Sequence, residues 1–139
     1  MSAIINLKQK PSIIKVTEHC ESVLSRKAIR LAVQDSICRY FQVSWDDITE
    51  KTRKANVVKK RHFSMAYYVD KKSILDMSLG DIGKLHSRSD ELKPYDHSTV
   101  IAAAKRVEKD YEVYKGFRDE YNDFERYVDK SVGHFNLSI

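Results

Sequence analysis

"PYDHSTVIAAAKRV", residues 94–107, decides how the rest of this sequence is read. A proline and a tyrosine lead into Asp96, His97, Ser98 and Thr99, and an apolar helical pattern starts at Val100. Asp96 suits a helix N-cap, because its carboxylate can accept from the amide of Ser98 or Thr99. His97, Ser98 and Thr99 then fill the first turn. Val100, Ile101, Ala104 and Val107 make the buried stripe. Ala102 and Ala103 keep the helix slim, and Lys105 and Arg106 add positive charge. A slim helix with hydrogen-bonding side chains in its first turn has the form of a recognition helix, whose leading residues reach base edges in the major groove. Its free amides and dipole favour phosphate. A hydrolase triad is excluded: neighbours on a helix point about 100° apart and cannot form a relay.

The preceding segment supports this. In "MSLGDIG", residues 77–83, Ser78 and Asp81 have the spacing of a capping box, with Asp in place of Glu. Leu79 and Ile82 supply a short apolar face. Gly83 fits either a C′ position or a tight helix–helix approach. This short helix and the one from Asp96 would form a helix-turn-helix pair, joined by a loop from Lys84 to Tyr95. Further upstream, "SWDDITEKT" repeats the cap with Ser44 and Asp47, so a short helix is expected from Trp45. "RKANVVKK" reads as a basic loop feeding a helix over Val57–Lys71, with Val58, Phe63, Ala66 and Tyr67 as its apolar positions. Ile29, Val33, Ile37, Tyr40 and Phe41 recur at helical steps, predicting an amphipathic helix from Arg26 to near Gln42. In residues 1–25, "SIIKV" reads as a short strand and "TEHCESVL" as a helix capped by Thr17.

At the other end, Val107, Tyr111, Tyr114, Phe117, Tyr121, Phe124 and Val128 are spaced to line one helical face. The helix from Asp96 either runs on through them or breaks near Gly116. That face is read first as internal packing, with a homodimer or a protein partner as the alternatives.

Composition bounds the rest. A chain of 139 residues favours one domain and can bury about two-thirds of its unfolded surface. With 4 Gly and 2 Pro, long helices are favoured over a many-turned β fold. No apolar run suits a membrane span, and no signal peptide is read. Cys20 and Cys38 form no CxxC pair and read as packed, reduced thiols. Neither a nucleophile–base pair nor a metal motif occurs, so no enzyme and no cofactor is expected. The net charge of +5 is sorted along the chain. Lys51, Arg53, Lys54, Lys59, Lys60 and Arg61 fall in one acid-free run, whereas residues 108–130 hold eight acids against five basic residues.

Taken in order, "YFQVSWDDI", "EKTRKANVVKKRHFSMAYYV", "SLGDIG" and "DHSTVIAAAKRVEK" resemble the C-terminal DNA-binding domain of the bacterial replication initiator DnaA, over about Lys27 to Lys109. The resemblance implies an all-α, multi-helix bundle containing a helix-turn-helix like that of the Trp repressor. It implies sequence-specific binding of double-stranded, A·T-rich DNA. Arg53 matches the arginine that enters the minor groove. Arg61 matches one that supports the backbone contacts. Asp96, His97 and Ser98 match residues facing bases, and Thr99 matches a phosphate-contacting hydroxyl. Lys51, Lys54, Lys59 and Lys60 share the basic segment, and His62 joins this set as a phosphate contact in the place where Gln is common. The departures are also specific. The connection Lys84–Tyr95 is longer than usual, Tyr95 replaces an arginine, and Val69 stands where a basic residue is common.

The chain divides into an extension (1–25), the DNA-binding domain (26–110) and an acidic, aromatic helix and tail (111–139). The family's motor domain has no counterpart here, since no GxxxxGK[ST] occurs. No nucleotide and no membrane partner is therefore expected. The expectation is a free-standing, cytoplasmic, nucleoid-associated regulator of replication or transcription. The alternatives are a non-enzymatic adaptor of the replication machinery acting through the aromatic helix, and an RNA-binding module. The second lacks an interleaved stacking platform.

Overall fold

Cap residues and helix formers alternate along this chain, and the backbone follows them. A computed structural model describes residues 11–88 and 93–133, with side chains from Arg26 onward. Among the described residues every regular element is a helix. In order these are α1 (Pro11–Phe41), α2 (Trp45–Thr49), α3 (Ala55–Asp70), α4 (Lys72–Leu75), α5 (Leu79–Leu85), α6 (His97–Val113) and α7 (Lys115–Val132). None is long and apolar enough to cross a membrane.

The N-terminal reading needs correction. "SIIKV" is helical, and α1 extends back from Arg26 to Pro11. A proline at the first helical position lacks only an amide that would stay unpaired anyway, and neither glycine nor a further proline interrupts the run to Phe41. Propagation of an existing helix outweighs the weak strand preference of Ile13, Ile14 and Val16. Gln42 ends α1 in the left-handed region, at φ 57°. The Val43 amide then donates to the Cys38 carbonyl at 3.1 Å, closing the helix end.

Aromatic rings bind α1, α3 and α7 together. Phe63 of α3 meets Tyr121 at 5.1 Å, Phe117 at 5.3 Å and Phe124 at 5.4 Å, between ring centroids. Phe41 of α1 stacks on Phe124 at 5.3 Å. Acids of α7 pair with residues of the same helices, at the surface and in the core. Asp123 accepts from the Tyr40 hydroxyl, Asp129 from the Tyr67 hydroxyl, and Glu120 pairs with Lys59. Buried Lys71 lies 3.6 Å from Glu125 and 3.7 Å from Asp129.

The face expected from Val107 to Val128 is therefore internal at Val107, Tyr121, Phe124 and Val128. It is not one continuous helix. The chain breaks at Tyr114, in extended conformation at φ −113° and ψ 115°, two residues before Gly116. That break turns the Tyr114 side chain outward, 60% exposed. Tyr111 and Arg118 brace the corner, the first donating to Asn122 and the second to the Tyr111 carbonyl.

A second packing centre lies under the helix-turn-helix. His86 is fully buried at the end of α5. Its Nδ1 is 2.8 Å from the Ile82 carbonyl, which can only accept, so Nδ1 carries the proton. Nε2 is then free to accept from the Ser64 hydroxyl at 2.7 Å. Burial pulls the imidazole pKa down to about 4, so the ring stays neutral. Trp45 packs on it and donates its indole N–H to the Leu85 carbonyl at 3.2 Å. These bonds fix α5 against α2 and α3.

Candidate nucleic-acid interface

Asp96 caps α6 as its sequence suggests. Its Oδ1 accepts from the Thr99 amide at 2.9 Å. The Thr99 amide, then the Thr99 hydroxyl, hold its carboxyl below the usual range. Asp96, His97, Ser98 and Thr99 are all exposed, and Val100 directly behind them is fully buried. The buried stripe is Val100, Ala103 and Val107, whereas Ile101 and Ala104 are half-buried. The expected stripe was thus rotated slightly: Ala103 faces the bundle because steps of three and four from Val100 to Val107 pass through it.

The turn before α6 is set by one close approach. Gly83 lies inside α5, not beyond its end. A β-carbon there would sit 2.0 Å from the Tyr95 carbonyl oxygen, so only glycine fits. Ser87 Oγ donates to the Gly83 carbonyl at 2.7 Å and accepts from the Tyr95 amide at 2.9 Å. These contacts pin the end of the long loop immediately ahead of the cap, whatever the path of residues 89–92.

The basic loop occupies residues 50–54 and runs straight into α3. Lys51, Arg53 and Lys54 are exposed. Among the described residues, the Arg53 guanidinium has neither a hydrogen-bond nor an ion-pair partner. The first turn of α3 contains no acidic residue, and no side chain caps it at Lys54. Such a terminus favours an anion.

The remaining basic residues are not equivalent. Lys60 is half-buried with its ammonium over Phe41. Lys59 reaches solvent but is paired with Glu120, an exposed ion pair that contributes little by itself and can be exchanged. His62 is half-buried beside Arg106, and burial first, then Arg61 and Arg106, lower its pKa. Arg61 is buried, 7% exposed. It donates Nε to the Ile48 carbonyl at 3.1 Å and Nη2 to the Glu50 carbonyl, with its carbon 5.7 Å from the Tyr95 ring centre. The linear run of charge gave no hint that one cation in six would lie beneath the loop. The Gly83–Tyr95 contact was likewise invisible from spacing alone.

The arrangement joins an exposed cationic loop to an open helix N-terminus through a buried arginine, on a helix-turn-helix frame. Residues 31–107 match the family described as the bacterial DnaA protein helix-turn-helix. This chain belongs to that family. It is 31% identical over 127 residues to the chromosomal replication initiator protein DnaA of Bacteroides fragilis, a match covering 91% of this chain and 24% of the relative. It is 33% identical over 96 residues to the protein of the same name from Bacteroides thetaiotaomicron, covering 69% and 18% respectively. The chain therefore spans a quarter or less of these curated relatives. No solved structure matches it significantly. The family match ends at Val107, so α7 lies beyond it, and with it Glu120, which pairs with Lys59 of α3.

Proposed function

We propose that this chain reads a short, A·T-rich stretch of double-stranded DNA in a sequence-specific way, as part of the regulation of replication or transcription. The observation that carries this is the exposed first turn of α6, with His97, Ser98 and Thr99 held outward by the Asp96 cap and the buried Val100. His97 and Ser98 face base edges, together with Asp96, and Thr99 meets a phosphate. Arg53 enters the adjacent minor groove. Lys51, Lys54, Lys59 and Lys60 neutralise phosphates and supply most of the affinity, while the groove contacts supply specificity. The alternative of a protein adaptor draws less support, since Tyr121, Phe124 and Val128 are spent in the core.

Selection from random duplexes at two salt concentrations tests the reading. An enriched A·T-containing motif is expected. Arg53→Ala should weaken binding and relax the A·T preference, and His97→Ala should cost about 1–3 kcal/mol of discrimination at one base pair. Binding that is wholly lost at the higher salt, with no motif enriched, would leave only electrostatics and refute the proposal.

A further inference from the structure

Reading two grooves at once requires that the basic loop and the first turn of α6 keep a fixed separation, to within about half an ångström for a well-organised site. We infer that Arg61 is the strut that sets this separation and not a phosphate ligand, an inference that rests on the DNA-reading function proposed above.

Arg61 touches both elements. On one side its two donors end on the carbonyls of Ile48 and Glu50, immediately before Lys51 and Arg53. On the other its guanidinium carbon lies 5.7 Å from the centre of the Tyr95 ring, one residue before the Asp96 cap. Tyr95 cannot retreat, because its carbonyl abuts Gly83 and its amide is bonded to Ser87. Arg61 and Tyr95 therefore link the loop to the start of the recognition helix. At 7% exposure, with Nε and Nη2 already engaged by carbonyls, the guanidinium has little surface left to offer a phosphate. A planar fork holds two carbonyls at once in fixed geometry while its charge faces a ring; lysine carries the same charge on a compact ammonium without that fork.

That difference makes the test. Wild type, Arg61→Lys, Tyr95→Ala, Tyr95→Phe and the double variant Arg61→Lys/Tyr95→Ala are compared on the selected duplex and on a scrambled duplex of equal composition. Affinities are measured across a salt series, and Tm is measured for each free protein. Arg61→Lys and Tyr95→Ala should each lower the selected-to-scrambled ratio by roughly tenfold, the range of a contact coupling. The double variant should fall no further than the worse single one. Tyr95→Phe should behave as wild type. The salt slope should stay unchanged in all of them, whereas loss of one phosphate contact would reduce it by about 0.9. An Arg61→Lys protein with the wild-type ratio, additive losses in the double variant, or affinities for both duplexes that fall together with Tm would each overturn the strut. If Arg61→Lys fails to fold, Tyr95→Ala decides alone, and an unchanged ratio overturns it. A wild-type protein that enriches no duplex is a separate failure, since it removes the proposed function and the strut with it.

Discussion

Among the described residues three helices begin with a side-chain cap, and they do not begin alike. At α2 and α5 the cap is closed in both directions. Ser44 accepts from the Asp47 amide at 3.2 Å while Asp47 accepts from the Ser44 amide at 3.0 Å, and Ser78 and Asp81 repeat the exchange at 3.0 Å each way. At α6 the Asp96 carboxylate serves the Thr99 amide, but the third helical position holds Thr99 itself, so no carboxylate returns to the cap. The first turns of α2 and α5 contain acids, and that of α6 contains none. A capping box finishes a helix end and fills it with negative charge. The α6 cap places its one carboxylate on the N-cap itself and leaves the third helical position to the Thr99 hydroxyl. One residue identity, three positions after the cap, separates a structural helix end from a candidate binding one.

Making α6 resemble the other two is the most severe test of that contrast. The double variant Asp96→Ser/Thr99→Asp installs the Ser-x-x-Asp pattern of α2 and α5. Folding stability should stay within about 0.5 kcal/mol of wild type, since one good cap replaces another. On the proposed reading duplex affinity should drop by roughly 2–4 kcal/mol, because one base-facing carboxylate and one phosphate-contacting hydroxyl are lost and a carboxylate is placed against phosphate. Thermal unfolding and a binding titration measure the two quantities separately. Retained binding would mean that the open end of α6 is incidental.

The reverse change is milder. Ser78→Ala removes one partner of a closed box and should cost about 1 kcal/mol of stability. The selected-to-scrambled ratio should be retained, because Ser78 caps α5 and faces no groove. A loss of discrimination at full stability would show instead that α5 itself reads DNA.

All three caps were legible in the sequence because capping is local: each needs only a polar residue, a spacing and a hydrophobic run behind it. The helix-turn-helix pairing and the all-α class were legible for the same reason. What failed to show was tertiary. Arg61 is one of six basic residues between Lys51 and Arg61, and its burial depends on carbonyls thirteen and eleven residues away and on a ring thirty-four residues on. Ala103 looked like a slim spacer until neighbouring helices set which stripe of α6 faces in. The break expected near Gly116 as one of two alternatives falls at Tyr114, two residues earlier. Strand preference misled the reading of "SIIKV", where a continuous helix was already running. In the candidate site the exposed residues Asp96–Thr99 were nameable from pattern and Arg53 from the family resemblance, whereas the contacts that hold them in place were not.

The smallest effect concerns protons, and it divides the molecule along the same line. Asp81 is held below the ordinary carboxylate value of 3.8, first by the Ser78 backbone amide and then by its hydroxyl. Its folded pKa lies beneath the unfolded one, so its contribution is present above pH 3.8 and is lost as pH falls through the folded value. Asp70, in the packed cluster with Lys71 and Glu125, moves the other way. Burial raises it to about 7, opposed by Lys71 and reinforced by Glu125. Its proton is held more tightly in the folded state, so stability declines as pH climbs from 3.8 towards about 7. Asp81→Asn should therefore lower Tm slightly at neutral pH and match wild type in strong acid. Asp70→Asn should raise Tm at neutral pH, with the gain shrinking as pH falls. Thermal unfolding of both variants from about pH 3 to about pH 8 checks the signs. The two curves should diverge from wild type in opposite directions on the alkaline side. A fall in Tm for Asp70→Asn at neutral pH would mean that the ionised carboxylate is needed to hold Lys71, and that the cluster binds α7 through charge and not despite it.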